Sequence, residues 1–231
     1  MQKLLTDQQH ETFNKLLCDE DELKRYKRKF DDYKPSLLPR ILGGFLVFSG
    51  NIMYGKKPSL LKFRAIEVIA RVPYHSWSSA SYTHLTLFFT DEERAVKYSE
   101  STRFADVAQA NETMHVVVIS CMTEKVHGLG HIRFTMLPIL FSFFYFWASY
   151  LLYLLNPRMS YELNFLFESH AFSQYDEFIQ VHEKQLRAKS IESCFLDTYG
   201  RKHENQYEFF KAVRNDELIH RNQSLEQISK L

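Results

Sequence analysis

The chain has 231 residues, carries a formal net charge of +1, and is 45% hydrophobic and 15% aromatic. That length suits one sizeable domain with a real core, and the near-neutral charge gives no footing for a nucleic-acid partner. Only 7 Gly and 6 Pro are present, too few turn residues for a β-rich fold, so long helices are expected. The 3 cysteines, Cys18, Cys121 and Cys194, are scattered and odd in number. They point to a reducing compartment and not to a disulfide framework.

Residues 6–33 are dense in Lys, Arg, Asp and Glu and are expected to form a solvated helix or arm, a unit of its own over residues 1–34. The first thirty residues have no apolar core of the kind a secretory signal needs, which fits a bacterial or already mature chain. Pro35 and Pro39 close the arm, and residues 35–231 are read as the main domain. Residues 37–54 are mostly apolar but include Arg40, the composition of a membrane-surface segment. A helix beginning near Ser59 carries Glu67 within Ala65-Ile66-Glu67-Val68-Ile69-Ala70. A carboxylate in so apolar a run is costly to bury alone. Pro73 should bend or interrupt this helix, and an exposed connection follows near residues 90–94.

A helix over about residues 95–125 holds Glu112 and His115. Residues 134–155 are free of charge and, at about 1.5 Å per residue, roughly 33 Å long, enough to cross a bilayer. After Asn156-Pro157, a helix over 158–189 carries Glu168 and, two turns later, Tyr175. Residues 190–202 read as an irregular connection with Gly200, and a last helix over 203–228 carries Glu217 and His220.

Two segments, Asn111-Glu112-Thr113-Met114-His115 and Asn215-Asp216-Glu217-Leu218-Ile219-His220, each place Glu and His three residues apart, on one helix face. Two such pairs, with single Glu residues from two further helices, are the ligand set of a di-iron carboxylate site in a four-helix bundle. Glu67 and Glu168 supply the single Glu residues. A third pair, Glu124 and His127, points about a third of a turn away from Glu112 on a continuous helix and is followed by Gly128 and Gly130. It is set aside. The fold expected is all-α: a ferritin-like four-helix bundle with a di-iron centre and additional membrane-surface helices.

The metal reading bears on the apolar run. One crossing of a bilayer would leave Ser120 and Glu168 on opposite sides, and no second uncharged run of that length returns the chain. The helix over about 132–155 is therefore expected to lie flat in one leaflet. Tyr145, Trp147, Tyr150 and Tyr153 suit such an interface, with apolar rings and wet tips.

Four stretches carry a family resemblance: EVIARVPY from Glu67, NETMH from Asn111, NPRMSYELNFLFESHAFSQYDEFI from Asn156 and ENQYEFFKAVRNDELIH from Glu204. In this order they resemble the alternative oxidases, most closely the plastid terminal oxidase branch, over roughly residues 37–223. The resemblance implies a quinol oxidase that reduces O2 to water without pumping protons, is attached to one leaflet and is dimeric. It implies two Fe ions bound by Glu67, Glu112, His115, Glu168, Glu217 and His220. Tyr175 matches the family's redox-active tyrosine, and Asn111, Asp216 and Arg214 match residues that orient the ligands. For the quinol pocket it implies Ile66 and Ala171, with Lys62 where the family has an Arg, Arg64 two residues on, and Gln174 in place of a small hydroxyl residue. The stretch between Glu67 and Glu112 is longer than the family's, expected as an exposed loop. Plastoquinol and ubiquinol are both open as substrates, as are bacterial inner, thylakoid and other plastid membranes. Two alternatives use the same residues: another di-iron enzyme such as a quinone-ring hydroxylase or ferroxidase, and a non-enzymatic helical membrane protein whose Glu and His residues only pair with neighbours.

Overall fold

The computed structural model describes residues 8–89, 91–123, 130 and 132–230. Every regular element among them is helical: α1 (Gln8–Leu16), α2 (Glu20–Arg28), α3 (Leu37–Tyr54), α4 (Leu60–Ala70), α5 (Val72–Leu87), α6 (Glu92–Thr123), α7 (Leu137–Leu155, entered through a π-helical turn at Ile132–Met136), α8 (Pro157–Arg187), α9 (Cys194–Tyr199) and α10 (Gln206–Ile228). The set-aside pair Glu124 and His127 lies outside the described residues.

Helix boundaries follow local chemistry. Ser59 and Asn205 cap α4 and α10 by accepting from the Lys62 and Glu208 amides at 3.3 and 3.1 Å, each cap contributing about 1 kcal/mol. The expected break at Pro73 is present: α4 ends at Ala70 and α5 starts at Val72, with Pro73 in its first turn, where the missing N–H costs nothing. Residues 190–202 are more regular than expected. They contain α9, capped by Ser193 and stopped by Gly200 at φ 95°, a left-handed conformation that glycine adopts without strain.

Helices α4, α6, α8 and α10 form the bundle, with α8 packed along α10 and α4 along α6. Two aromatic cores form, one inside this bundle and one where α5 and α7 pack on α6 and α8. One gathers Phe63, Met114, Tyr175, Phe178, Phe209 and Phe210; the other gathers Tyr74, Trp77, Ala105, Tyr153 and Tyr161. The extra length between Glu67 and Glu112 is not an exposed loop. It is taken up by α5 and the first half of α6, and α5 packs on both α6 and α7.

The charged N-terminal segment is helical as expected over residues 8–28, but its two helices dock on the bundle: most of their charges face outward, while Leu17 and Leu23 are buried against Phe172, Leu218 and Ile219, with Phe13 and Tyr26 beside them. A carboxylate on α8 ties down the following loop: Glu162 accepts from the Tyr33 hydroxyl at 2.6 Å and the Ser36 amide at 2.9 Å.

Helix α7 runs beside α4 and α5. Ser142 donates to the Val68 carbonyl at 3.0 Å, Ser149 meets Ser76 at 2.8 Å and Tyr150 meets Thr83 at 2.7 Å. The opposite face, with Ile139, Leu140, Phe143, Phe144, Trp147, Leu151 and Leu155, is exposed, as are Ile41, Phe45, Phe48 and Ile52 on α3. Only Trp147 of the expected interfacial aromatics sits on that face. Tyr145 and Tyr153 are buried, and the Tyr150 and Tyr153 hydroxyls find protein partners and not a wet boundary.

Candidate metal centre

All six sequence-derived ligands converge between the two aromatic cores, each almost wholly buried. The i,i+3 spacing turns both residues of each pair inward from α6 and α10, while α4 and α8 bring Glu67 and Glu168 from facing sides. Two ligand groups result: Glu67, Glu112, His115 and Glu217, and Glu112, Glu168, Glu217 and His220, with ligand atoms within 4.8 Å of one another in each. Glu112 and Glu217 belong to both. His115 Nδ1 lies 3.4 Å from Glu112 and from Glu217 and 3.6 Å from Glu67, and His220 Nδ1 lies 2.8 Å from Glu112.

The inward atoms fit metal ions better than they fit each other. Among the described residues, both oxygens of Glu112 and of Glu217, one each of Glu67 and Glu168, His115 Nδ1 and both His220 nitrogens find no hydrogen bond of good geometry, for all that they approach one another closely. So many orphaned acceptors in a dry interior would cost several kcal/mol each without a counterion. Four carboxylates balance two divalent ions, and a carboxylate–imidazole set suits iron. In the protein alone, burial and then the Glu112 charge push Glu67 and Glu168 up to about 7, and the same influences raise Glu217 further. Burial opposes ionisation of Glu112 as well, but His115 and His220 outweigh it and hold its carboxyl below the usual carboxylate range.

Two tyrosines brace the single carboxylates crosswise. Tyr175, seven residues after Glu168, donates to Glu67 Oε1; Tyr74, seven residues after Glu67, donates to Glu168 Oε1 at 2.7 Å. Burial and then the neighbouring carboxylate raise both phenols well above their ordinary range, so both stay protonated donors. Tyr175 is stacked on Phe63 at 4.1 Å, and Tyr74 also accepts from Asn164 at 2.9 Å. Tyr74 was not among the sequence-derived site residues, although the matched Glu-to-Tyr spacing signals it.

The supporting residues divide. Asn111 and Asp216 stand where expected: Asn111 donates to Asp216 Oδ2 at 3.1 Å, and that oxygen accepts from His115 Nε2 at 3.0 Å. Arg214 does not reach the ligands. It pairs with Asp176 at 2.9 Å and bonds the Asn215 side chain, because its position on α10 faces α8 away from the cluster. Its expected place is held by Arg201, which grips both Asp216 oxygens, one at 2.9 Å. No spacing rule picks out Arg201, which sits in the turn after α9. His10 and Asn14 of α1 also bond Asp216 and were equally invisible in sequence.

Beside the cluster lies a cavity of about 410 Å³ with an almost wholly apolar wall. It runs between α3 and α7, reaching Glu67, Tyr175 and Glu217, and Lys62, Ile66, Ala171 and Gln174 line it. Arg64, two residues after Lys62, does not. The buried Lys62 ammonium donates to Gln174 Oε1 at 2.7 Å, Asn51 Oδ1 at 3.1 Å and the Lys56 carbonyl at 3.2 Å. His170 also lines this wall.

The sequence is 29% identical over 126 residues to ubiquinol oxidase 4, chloroplastic/chromoplastic, of Arabidopsis thaliana, an alignment covering 54% of this chain and 33% of that protein. The chain thus matches about a third of the length of that curated relative. The pattern of the alternative oxidase family matches residues 24–227, from within α2 to near the end of α10 and including all six inward-facing ligands. The helical fold with its buried Glu and His cluster agrees with that pattern, and the chain belongs to the alternative oxidase family.

Proposed function

We propose that this chain is a quinol:oxygen oxidoreductase, holding two iron ions between α4, α6, α8 and α10 and oxidising a membrane quinol while reducing O2 to water. The observation that carries this reading is the adjacency of two unlike compartments: a buried carboxylate–imidazole cluster, and an apolar cavity lined in part by Glu67 and Glu217 of that cluster and by Tyr175. A quinol has that same duality, a greasy tail and a polar head. Neither a ferroxidase nor a plain helical scaffold needs such a cavity.

Glu67 and His115 would hold one ion, Glu168 and His220 the other, with Glu112 and Glu217 shared. When bound, the iron pair supplies the redox chemistry with oxygen. The chain's own residues do the rest. The cavity wall excludes water and leaves the quinol head as the polar group in an apolar slot. Lys62 and Gln174, already joined, present the polar end of that slot. Lys62 is a point charge where an Arg fork would bind in two directions, and Gln174 adds an amide beside it. The Tyr175 hydroxyl lies between cavity and cluster with its proton directed at Glu67 Oε1, in position to pass a proton and an electron from the cavity side. Two quinols release four electrons and four protons, which O2 takes up to form two waters, so the reaction is balanced without transfer of charge across a membrane.

The exposed faces of α3 and α7 support attachment to one leaflet. Both helices are long and apolar enough to span a bilayer. But α7 is bonded sideways to α4 and α5 along its length, an arrangement that leaves one apolar stripe for lipid and no room for a bilayer around the helix. The cavity opens between these two helices, where a lipid-borne quinol arrives. Exposed Leu87, Phe88, Phe89 and Val96, at the α5–α6 end, offer a surface for a second copy in a homodimer. A plastid or bacterial inner membrane suits this reading.

The test is oxygen consumption by membranes carrying the protein, supplied in turn with plastoquinol and ubiquinol analogues. Quinol-dependent uptake, without hydroxylated quinone and abolished in Glu168→Ala, is the expected result. Unchanged uptake in that variant would remove Glu168 from the site, and a hydroxylated product would replace the oxidase reading with a hydroxylase.

A further inference from the structure

Helix α1 precedes the segment matched by the family pattern, which begins at residue 24. Its contact with the bundle is of two kinds. Phe13 and Leu17 supply apolar docking against Leu218 and Ile219. His10 and Asn14, also buried, do something else: His10 Nε2 donates to Asp216 Oδ1 at 2.8 Å, and Asn14 donates to the same oxygen and to the Ala212 carbonyl at 2.8 Å. Glu11 meets Arg201 at 2.6 Å, and Arg201 grips Asp216 from the other side. Burying an imidazole and an amide is a poor way to dock a helix whose neighbouring Leu already does so. It is an effective way to fix a carboxylate.

We propose that His10 and Asn14 are positioning residues for the metal ligand His115, acting through Asp216; this rests on the iron-pair reading of the site. A carboxylate has about four lone-pair directions, and on Asp216 the donors crowd both oxygens, three to each: Oδ1 accepts from His10, Asn14 and Arg201, while Oδ2 accepts from Arg201, Asn111 and His115 Nε2. Occupying Oδ1 from α1 stops the carboxylate from turning, keeps Oδ2 for the imidazole N–H, and so holds His115 Nδ1 toward Glu67, Glu112 and Glu217. Such support typically changes metal affinity about 10- to 100-fold. It acts on one ion of the pair. His220 touches the His10 ring at 5.6 Å between centroids, but neither of its nitrogens has a hydrogen bond of this kind.

The experiment compares full-length wild type, His10→Leu, His10→Gln and Asn14→Ala after loading with iron-57. Readouts are the Mössbauer spectrum, the rate of iron loss to a chelator, and helix content by circular dichroism. In His10→Leu, helix content should stay and one of the two iron signals should shift, with that iron lost about tenfold faster. His10→Gln should restore the wild-type spectrum, because its amide Nε2 donates to the same oxygen. Asn14→Ala should move the same signal less. Unchanged spectra in both His10→Leu and Asn14→Ala would overturn the proposal. So would equal changes in His10→Leu and His10→Gln, which would make His10 a matter of shape. A wild type that takes up no iron would overturn the iron-pair reading itself.

Discussion

On one side of the cluster, Glu67 is braced by Tyr175 and His115 is held through Asp216 by a network drawn from α1, α6 and the turn after α9. On the other side, Glu168 is braced by Tyr74, but among the described residues no hydrogen-bonded carboxylate orients His220, which has Glu112 beside Nδ1 and the Tyr74 and His10 rings nearby. The ligand types match and their support does not. The cavity follows the same division: Glu67 and Tyr175 line it, while Glu168, Tyr74 and His220 do not. A repeated motif therefore sets which atoms converge, and the surrounding chain sets how firmly each half is held and which half borders the apolar cavity.

The largest effect should come from the residues the halves share. Glu112→Gln leaves each ion short of a carboxylate and adds an uncompensated charge deficit, so metal analysis should find almost no iron; two retained ions would show that Glu112 is not shared. Next come the paired tyrosines. Tyr175→Phe should keep its iron yet lower quinol oxidation by about two orders of magnitude, the scale of a well-placed proton donor. Tyr74→Phe, remote from the cavity, should stay within a few-fold of wild type in steady-state assays. Equal losses in the two would erase the distinction between the halves. Lys62→Met should have a smaller effect, raising KM for quinol with iron content unchanged, since Lys62 touches the cavity and not the cluster.

The smallest expected effect concerns pH. Glu67 and Glu168 are raised to about 7 in the metal-free protein, from an ordinary value of 4.5. The folded metal-free chain therefore holds protons there that the unfolded chain releases. Their stabilising contribution is complete below about 4.5 and is lost as pH rises through about 7. Thermal melts of the metal-free protein should show this loss across that window, and iron should remove it, because bound metal takes the place of the protons. A metal-free melt independent of pH there would mean that these carboxylates are not packed together without iron.

The convergence of the six buried Glu and His side chains was legible in the sequence because helical periodicity converts spacing directly into a shared face, and because a Glu within an apolar run demands a partner. The helix break at Pro73 was legible for the same local reasons. What escaped depends on tertiary contact. Arg201, His10 and Asn14 meet Asp216 from segments distant in sequence, and nothing local marks them. Arg214, adjacent to the motif, was expected to serve there, but the turn of α10 points it at Asp176. The charge density of the N-terminal segment hid the few apolar side chains that dock it, since composition averages over faces that a helix keeps apart. Two of the α7 tyrosines, Tyr150 and Tyr153, turn inward in the same way, their tips finding Thr83, Ser81 and Ser101 across the interface.

The most direct measurement of the central claim is the Mössbauer spectrum, in an applied field, of the full-length protein loaded with iron-57 and oxidised. About two irons per chain are expected, in two distinguishable environments and spin-coupled to a diamagnetic ground state, as two ferric ions held side by side between α4, α6, α8 and α10 would be. A protein without iron, or with a single magnetically isolated ion, would contradict that claim.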